Sequence, residues 1–137
     1  MSLVNAMPAR AEFETGNVRP LLHEIRHALD RLLTEGQPTA IDLRSLPLAP
    51  GEEQKIEDAL GEGELVAELD ALGSSTLRET AFPGVWLVTH KNTDGEVIGR
   101  LIEITLMPEL LKSQTEDVRA GLDDLSARLA DDTEDNS

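Results

Sequence analysis

The sequence contains no cysteine and no tyrosine, and only two phenylalanines and one tryptophan among its 137 residues. Without thiols, this chain forms no disulfide, offers no thiolate nucleophile and supplies no thiolate ligand to zinc or an iron–sulfur cluster. Carboxylates and three histidines are the remaining metal ligands. Basic residues are scarce as well, 12 against 27 acids, for a net charge of −15. Such a surface repels nucleic-acid phosphates and anionic membrane headgroups, so neither is expected as a partner. No apolar run approaches the roughly 20 residues that span a bilayer. Met1 to Gly16 mixes Arg10, Glu12 and Glu14 with small residues and lacks the apolar centre of a secretory signal. The expected location is cytoplasmic.

What is present fits one domain with a single core. Six basic and 14 acidic residues precede Ala71, and six and 13 follow, so the acidity belongs to the whole surface. The ends differ. Residues 1–16 show no periodicity, and residues 131–137 gather Asp131, Asp132, Glu134 and Asp135 into a polar tail. Both are expected to be disordered, which leaves a single α+β domain over 17–130.

Asn17 is a good N-cap for a helix from Val18 through Leu33, which Gly36 and Pro38 stop. Leu21, Leu22, Ile25, Leu29, Leu32 and Leu33 form its apolar stripe, with Ala28 at the margin. Thr39 to Leu43 reads as a short buried strand, and Pro50 opens a second helix over Glu52 to Leu60 that ends at Gly61. On that helix Glu52 and Glu53 are expected to face solvent, as are Asp123 and Asp124 further on. Four extended segments follow: Glu64 to Asp70, Thr76 to Phe82, Val85 to His90 and Glu96 to Leu106. Pro83-Gly84 and Asp94-Gly95 mark the turns between the last three. A closing helix from Thr115 to Leu129 places Val118, Leu122, Leu125 and Leu129 on one side. The order αβαββββα, with strands clustered in sequence, predicts an α+β fold: a mostly antiparallel sheet of about five strands packed with three helices. Val85 to Val88, with Trp86, is apolar throughout, as in a strand buried on both faces or one whose second face meets a partner.

The sharpest enzyme motif is His23-Glu24-Ile25-Arg26-His27, an HExxH pattern in which two histidines one turn apart bind zinc and the glutamate activates a water. Helical geometry opposes this reading. With Leu21 at 0°, the histidines fall at about 200° and 240°, whereas the apolar stripe centres near 50°. A solvated helix face is the simpler account, and a zinc metallopeptidase using His23, Glu24 and His27 is the alternative. Gly61-Glu62-Gly63-Glu64 sets acids where a phosphate would sit and is no nucleotide loop. Ser74-Ser75 lies in a polar turn without a GxSxG setting. No catalytic residue, metal ligand or cofactor is expected.

Taken together, Ile41-Asp42-Leu43-Arg44-Ser45-Leu46-Pro47, Leu60-Gly61-Glu62-Gly63-Glu64 and Arg78-Glu79-Thr80-Ala81-Phe82-Pro83-Gly84-Val85-Trp86 resemble the C-terminal conserved region of the HupH/HyaF family of hydrogenase expression and formation proteins. The similarity extends over about residues 18 to 130, and longer family members carry an additional N-terminal region. The resemblance implies a non-enzymatic accessory factor in nickel–iron hydrogenase maturation, a chaperone or scaffold for a hydrogenase precursor subunit or a fellow maturation protein. It brings no catalytic residues. A chain without thiols agrees, since it must act through surfaces.

The expected partner-binding residues are Glu62, Glu64, Arg78, Glu79 and Trp86, because tryptophan and arginine are enriched at binding hot spots. On a regular strand Glu79 shares a face with Leu77 and Ala81, so its carboxylate needs a partner. Trp86 is otherwise a core residue, and Arg44 a cap of its turn. A generic acidic module for a basic protein is a further alternative, and an edge strand leaves a homodimer open.

Overall fold

The computed structural model describes residues 16–136, with side chains through Asp132. The chain divides into two compact units between Leu106 and Met107. The sequence suggests one domain over 17–130; the boundary inside it follows the last strand.

The first unit holds α1 (Val18–Glu35), β1 (Thr39–Asp42), a 3-10 turn (Leu43–Ser45), α2 (Glu52–Leu60), β2 (Val66–Asp70), β3 (Ser74–Glu79), β4 (Val85–Lys91) and β5 (Val97–Ile104). The five strands form one antiparallel sheet in the order β1-β5-β4-β3-β2. Hairpin links join β2 through β5, and the early strand β1 closes the other edge by pairing with β5. The fold is therefore the expected α+β arrangement.

Register decides what the sheet buries, because a slip of one residue would turn every side chain to the opposite face. Val85 lies opposite Ile104, and Leu87 and Ile41 both lie opposite Ile102. These residues meet Val18, Leu21, Ile25 and Ala28 of α1 and Ile56 and Leu60 of α2 in one core. The alternate residues Leu77, Trp86 and Val88 occupy the other face and are buried too. Of the two meanings of the apolar run Val85 to Val88, burial on both faces is the one observed.

Some local expectations change. Leu33 is exposed, because the buried side of α1 centres on Val18, Leu21, Ile25 and Ala28 rather than on the leucine pairs. β3 ends at Glu79 because Thr80 turns the chain: its N–H donates to the Val85 carbonyl, and its hydroxyl accepts from the Phe82 N–H. Asn17 holds the N-cap position without capping α1 through its side chain. Its Nδ2 donates instead to the Pro47 carbonyl at 2.9 Å and to Glu52 Oε1 at 3.4 Å.

Glu52 is the clearest correction, since it was expected in solvent and is buried. Its carboxylate accepts the backbone N–H of Ala49 at 2.7 Å and of Asn17 at 2.9 Å, tying the entries of both helices together. Those bonds, the one from Ala49 foremost, hold its carboxyl below the ordinary value of 4.5 against the opposing effect of burial. A carboxyl lowered on folding stabilises the fold above its unfolded-state value and loses that contribution as pH falls through the folded-state value. The midpoint of urea unfolding should therefore fall as pH drops below about 4.5. Glu52→Gln should unfold at lower urea near neutrality and show a flatter acid limb; an unchanged limb would remove Glu52 from this role.

The second unit contains a 3-10 turn (Glu109–Leu111) and α3 (Thr115–Asn136). Glu116 and Asp117 in its first turn complement the helix dipole. Residues 131–136, expected as a disordered tail, continue the helix; no glycine or proline after Gly121 stops it. Val118, Leu122, Leu125 and Leu129 are exposed. No helix among the described residues is long and apolar enough to cross a membrane.

Candidate functional site

Past the end of α2, residues Leu60 to Leu65 run beside the end of β3. Ala81 N–H donates to the Leu60 carbonyl at 2.9 Å, Gly63 N–H to the Glu79 carbonyl at 2.8 Å, and Glu79 N–H to the Leu65 carbonyl at 2.9 Å. This lacing explains the glycine at 63. A Cβ there would stand 2.5 Å from the Thr80 carbonyl oxygen and 2.8 Å from Glu79 Oε1, closer than carbon tolerates. Two of the sequence stretches singled out above are thus neighbours along one seam.

The seam borders a polar cleft of about 320 Å³ between α2 and the β3–β4 hairpin, lined by residues that include Gln54, Glu57, Asp58, Glu62, Arg78 and Thr80. Arg78 Nη1 donates to Glu62 Oε1 at 2.9 Å across its mouth, and both side chains remain well exposed. Beyond Arg78 a second hollow of about 180 Å³ is lined by Thr76, Thr89, Lys91 and Arg100 together with Glu57, Arg78 and Leu87. Thr76 and Arg100 both lie opposite Thr89, so this row crosses β3, β4 and β5 directly. Arg100 interrupts the inward row of β5 because α2 supplies its counter-charges: Nη2 donates to Glu57 Oε1 at 2.6 Å, and Nη1 stands 3.9 Å from Glu53 Oε2. Its Nε is buried without a hydrogen-bond partner. The result is a concave surface with one exposed ion pair, Arg78–Glu62, and one largely buried pair, Arg100–Glu57.

The five expected partner-binding residues do not share this surface. Glu62 and Arg78 line the cleft, and Glu64 is exposed on the strand entry beside it. Glu79 and Trp86 are cross-strand partners on the opposite face, because each follows or precedes an inward residue by one position. Glu79 is half-buried beside Gly63. Trp86 is only 5% exposed and donates from Nε1 to the Thr105 carbonyl at 3.3 Å, so it supports the hairpin from beneath instead of offering a contact. Arg44 reaches across to the Val97 carbonyl at the start of β5.

Phe82 was not among those expectations. It is 48% exposed and lines an apolar groove of about 300 Å³ with Leu22, Ile25, Leu29, Ala59 and Leu60, next to the polar cleft. Its place in the string Ala81-Phe82-Pro83-Gly84 was the available signal. His23, Glu24 and His27 are exposed along α1, as the helical angles predict. Among the described residues no group of three or more histidine, aspartate or glutamate side chains is gathered to hold a metal ion.

Comparison with known proteins bears on the family and the fold. The model of the HupH hydrogenase expression protein family, C-terminal conserved region, matches residues 15–131. The chain belongs to that family. The hydrogenase expression protein HupH from Thiobacillus denitrificans has a similar solved structure, with a TM-score of 0.82 and 46% identity over 85% of this chain and 98% of that one. The hydrogenase expression/formation protein HoxQ of Azotobacter vinelandii is 31% identical over 118 residues, and HupQ of Azotobacter chroococcum 28% over 115. Each match covers 82% of this chain and 39% of the relative, so the chain spans about two-fifths of the length of these HupH-family proteins.

Proposed function

We propose that the chain is a non-enzymatic accessory factor in hydrogenase maturation, a chaperone or scaffold that binds a hydrogenase precursor subunit or another maturation protein. The family membership carries this reading, since its curated relatives are named hydrogenase expression/formation proteins. The cleft is consistent with it. Its charged groups are paired with one another, Arg78 with Glu62 and Arg100 with Glu57, and an incoming partner can exchange with the exposed pair. Partner contact then involves Glu62, Glu64 and Arg78 at the cleft mouth, with Phe82 as the apolar element beside it.

The test is co-purification of the tagged chain from cells that express a nickel–iron hydrogenase. Wild-type protein should recover a hydrogenase subunit or a maturation protein, and Arg78→Glu should reduce that recovery about tenfold, the effect of roughly 1.4 kcal/mol at a binding position. Circular dichroism should show the variant folded, because Arg78 is partly exposed and pairs only at the surface. Failure of the wild-type chain to recover any hydrogenase-related protein would overturn the reading.

A further inference from the structure

The sheet ends on one side at β2, and the hydrogen bonds around that strand show which of its backbone groups are free. Glu79 N–H donates to the Leu65 carbonyl at one end, and Ala71 N–H donates to the Gly73 carbonyl at the other. With Ala67 opposite Leu77 and Leu69 opposite Ser75, the odd-numbered residues bond toward β3. Antiparallel pairing alternates, so Val66, Glu68 and Asp70 direct their N–H and C=O groups outward from the sheet edge. Natural edges are commonly blunted with charged side chains, lysine above all, or with proline or a bulge. From Glu64 to Gly73 the charges are all acidic, with no lysine, arginine or proline, and β2 pairs with β3 in unbroken register, so the edge repels a like-charged strand and leaves a basic one free to pair.

The apolar side chains around this edge are left in solvent. Leu65 and Val66 are each 57% exposed. At the tip of the β2–β3 hairpin Leu72 is 98% exposed, and it is the non-glycine residue with positive φ, 51°, among those described. A leucine in that backbone region is disfavoured where glycine or asparagine would fit freely, and burial does not compensate it here. Val66, Glu68 and Asp70 alternate onto one face, so the edge reads apolar, acidic, acidic at every second position.

We propose that β2 is a docking strand, to which an extended segment of a protein partner adds as a sixth strand. Charge selects the occupant. The segment carries an apolar residue opposite Val66 and lysine or arginine opposite Glu68 and Asp70, with a further apolar residue reaching Leu72. A second copy of this chain is a poor occupant, because antiparallel pairing of two β2 strands brings their acids together. The inference rests on the reading that the chain binds a protein and specifies how it does so.

The probe is a fluorescently labelled nine-residue peptide whose alternate residues read valine, lysine, lysine, valine with threonine at the positions between, measured by anisotropy against the full chain. The peptide should bind, and the same peptide with glutamate for lysine should bind at least about tenfold more weakly. Val66→Pro removes one outward N–H without touching a bond to β3, so it should weaken binding while the chain stays folded. A peptide N-methylated at alternate positions blocks pairing from the partner's side and should bind as weakly, whether or not the proline variant folds. Leu72→Asn should raise the thermal midpoint and weaken binding together. Equal binding of the methylated and unmethylated peptides, or of the lysine and glutamate peptides, overturns the proposal. Self-association of the chain that Val66→Pro abolishes also overturns it, in favour of a second copy. If Val66→Pro still recovers a hydrogenase component, strand docking fails and the maturation role stands; if the peptides behave as expected and no such component is recovered, the reverse holds.

Discussion

Trp86→Ala is expected to destabilise the chain by about 3–5 kcal/mol, the usual cost of removing a buried large aromatic. The indole is 5% exposed, sits between Glu79 and Glu103 across the neighbouring strands, and spends its N–H on Thr105. Truncation leaves a cavity in the hairpin that carries Arg78 and also removes the hydrogen bond to the Thr105 carbonyl. Guanidinium unfolding followed by circular dichroism measures the change. Trp86→Phe should recover much of the loss, because it refills most of the space, and the remainder is the forfeited hydrogen bond. A cost below about 1 kcal/mol would mean the indole is not packed as described. The result bears on function, since any loss of partner recovery in Trp86→Ala would report unfolding and not a missing contact. Arg78→Glu avoids that confusion.

Gly63→Ala is expected to cost about 1–3 kcal/mol by forcing a methyl into a filled space. The atom it meets is the Thr80 backbone carbonyl, which cannot swing aside as a side chain would. Relief requires the Leu60 to Leu65 segment to move off β3, which breaks the bonds from Gly63 and Glu79 that define the seam. The cleft and β2 both continue from this segment, so the substitution should lower stability and weaken partner capture together. A variant with wild-type stability and wild-type capture would show that the seam can part without consequence.

Much of the fold was legible in the sequence because hydrophobic periodicity and turn residues act locally. The stripe on α1, the Gly61 stop of α2, the Asp94-Gly95 hairpin and the apolar run of β4 each follow from residues within a few positions of one another. The exceptions involve long-range partners. Glu52 reads as exposed because helix position alone cannot reveal that Asn17, 35 residues earlier, donates to it. Arg100 interrupts an apolar row, and only the placement of Glu57, 43 residues away, explains it. Leu33 fits the apolar stripe by spacing, and its exposure depends on where the sheet lies beneath α1.

The candidate site shows the same division. Motif strings identified Glu62, Glu64, Arg78, Glu79 and Trp86 as one group, because the two segments that hold them combine acids, an arginine and the only tryptophan. Strand alternation separates them, sending Arg78 to the cleft and Glu79 with Trp86 to the far face.

By itself the sequence determined the chemistry that this chain lacks, the α+β order of its elements and, through its motifs, the family. Those properties depend on composition and local pattern, which a linear chain displays in full. Only the tertiary structure decided which charged residues meet across the cleft, that Trp86 lies beneath the surface, and that β2 leaves an edge with outward backbone groups. These depend on register and on contacts between residues far apart in the chain, which no local pattern specifies.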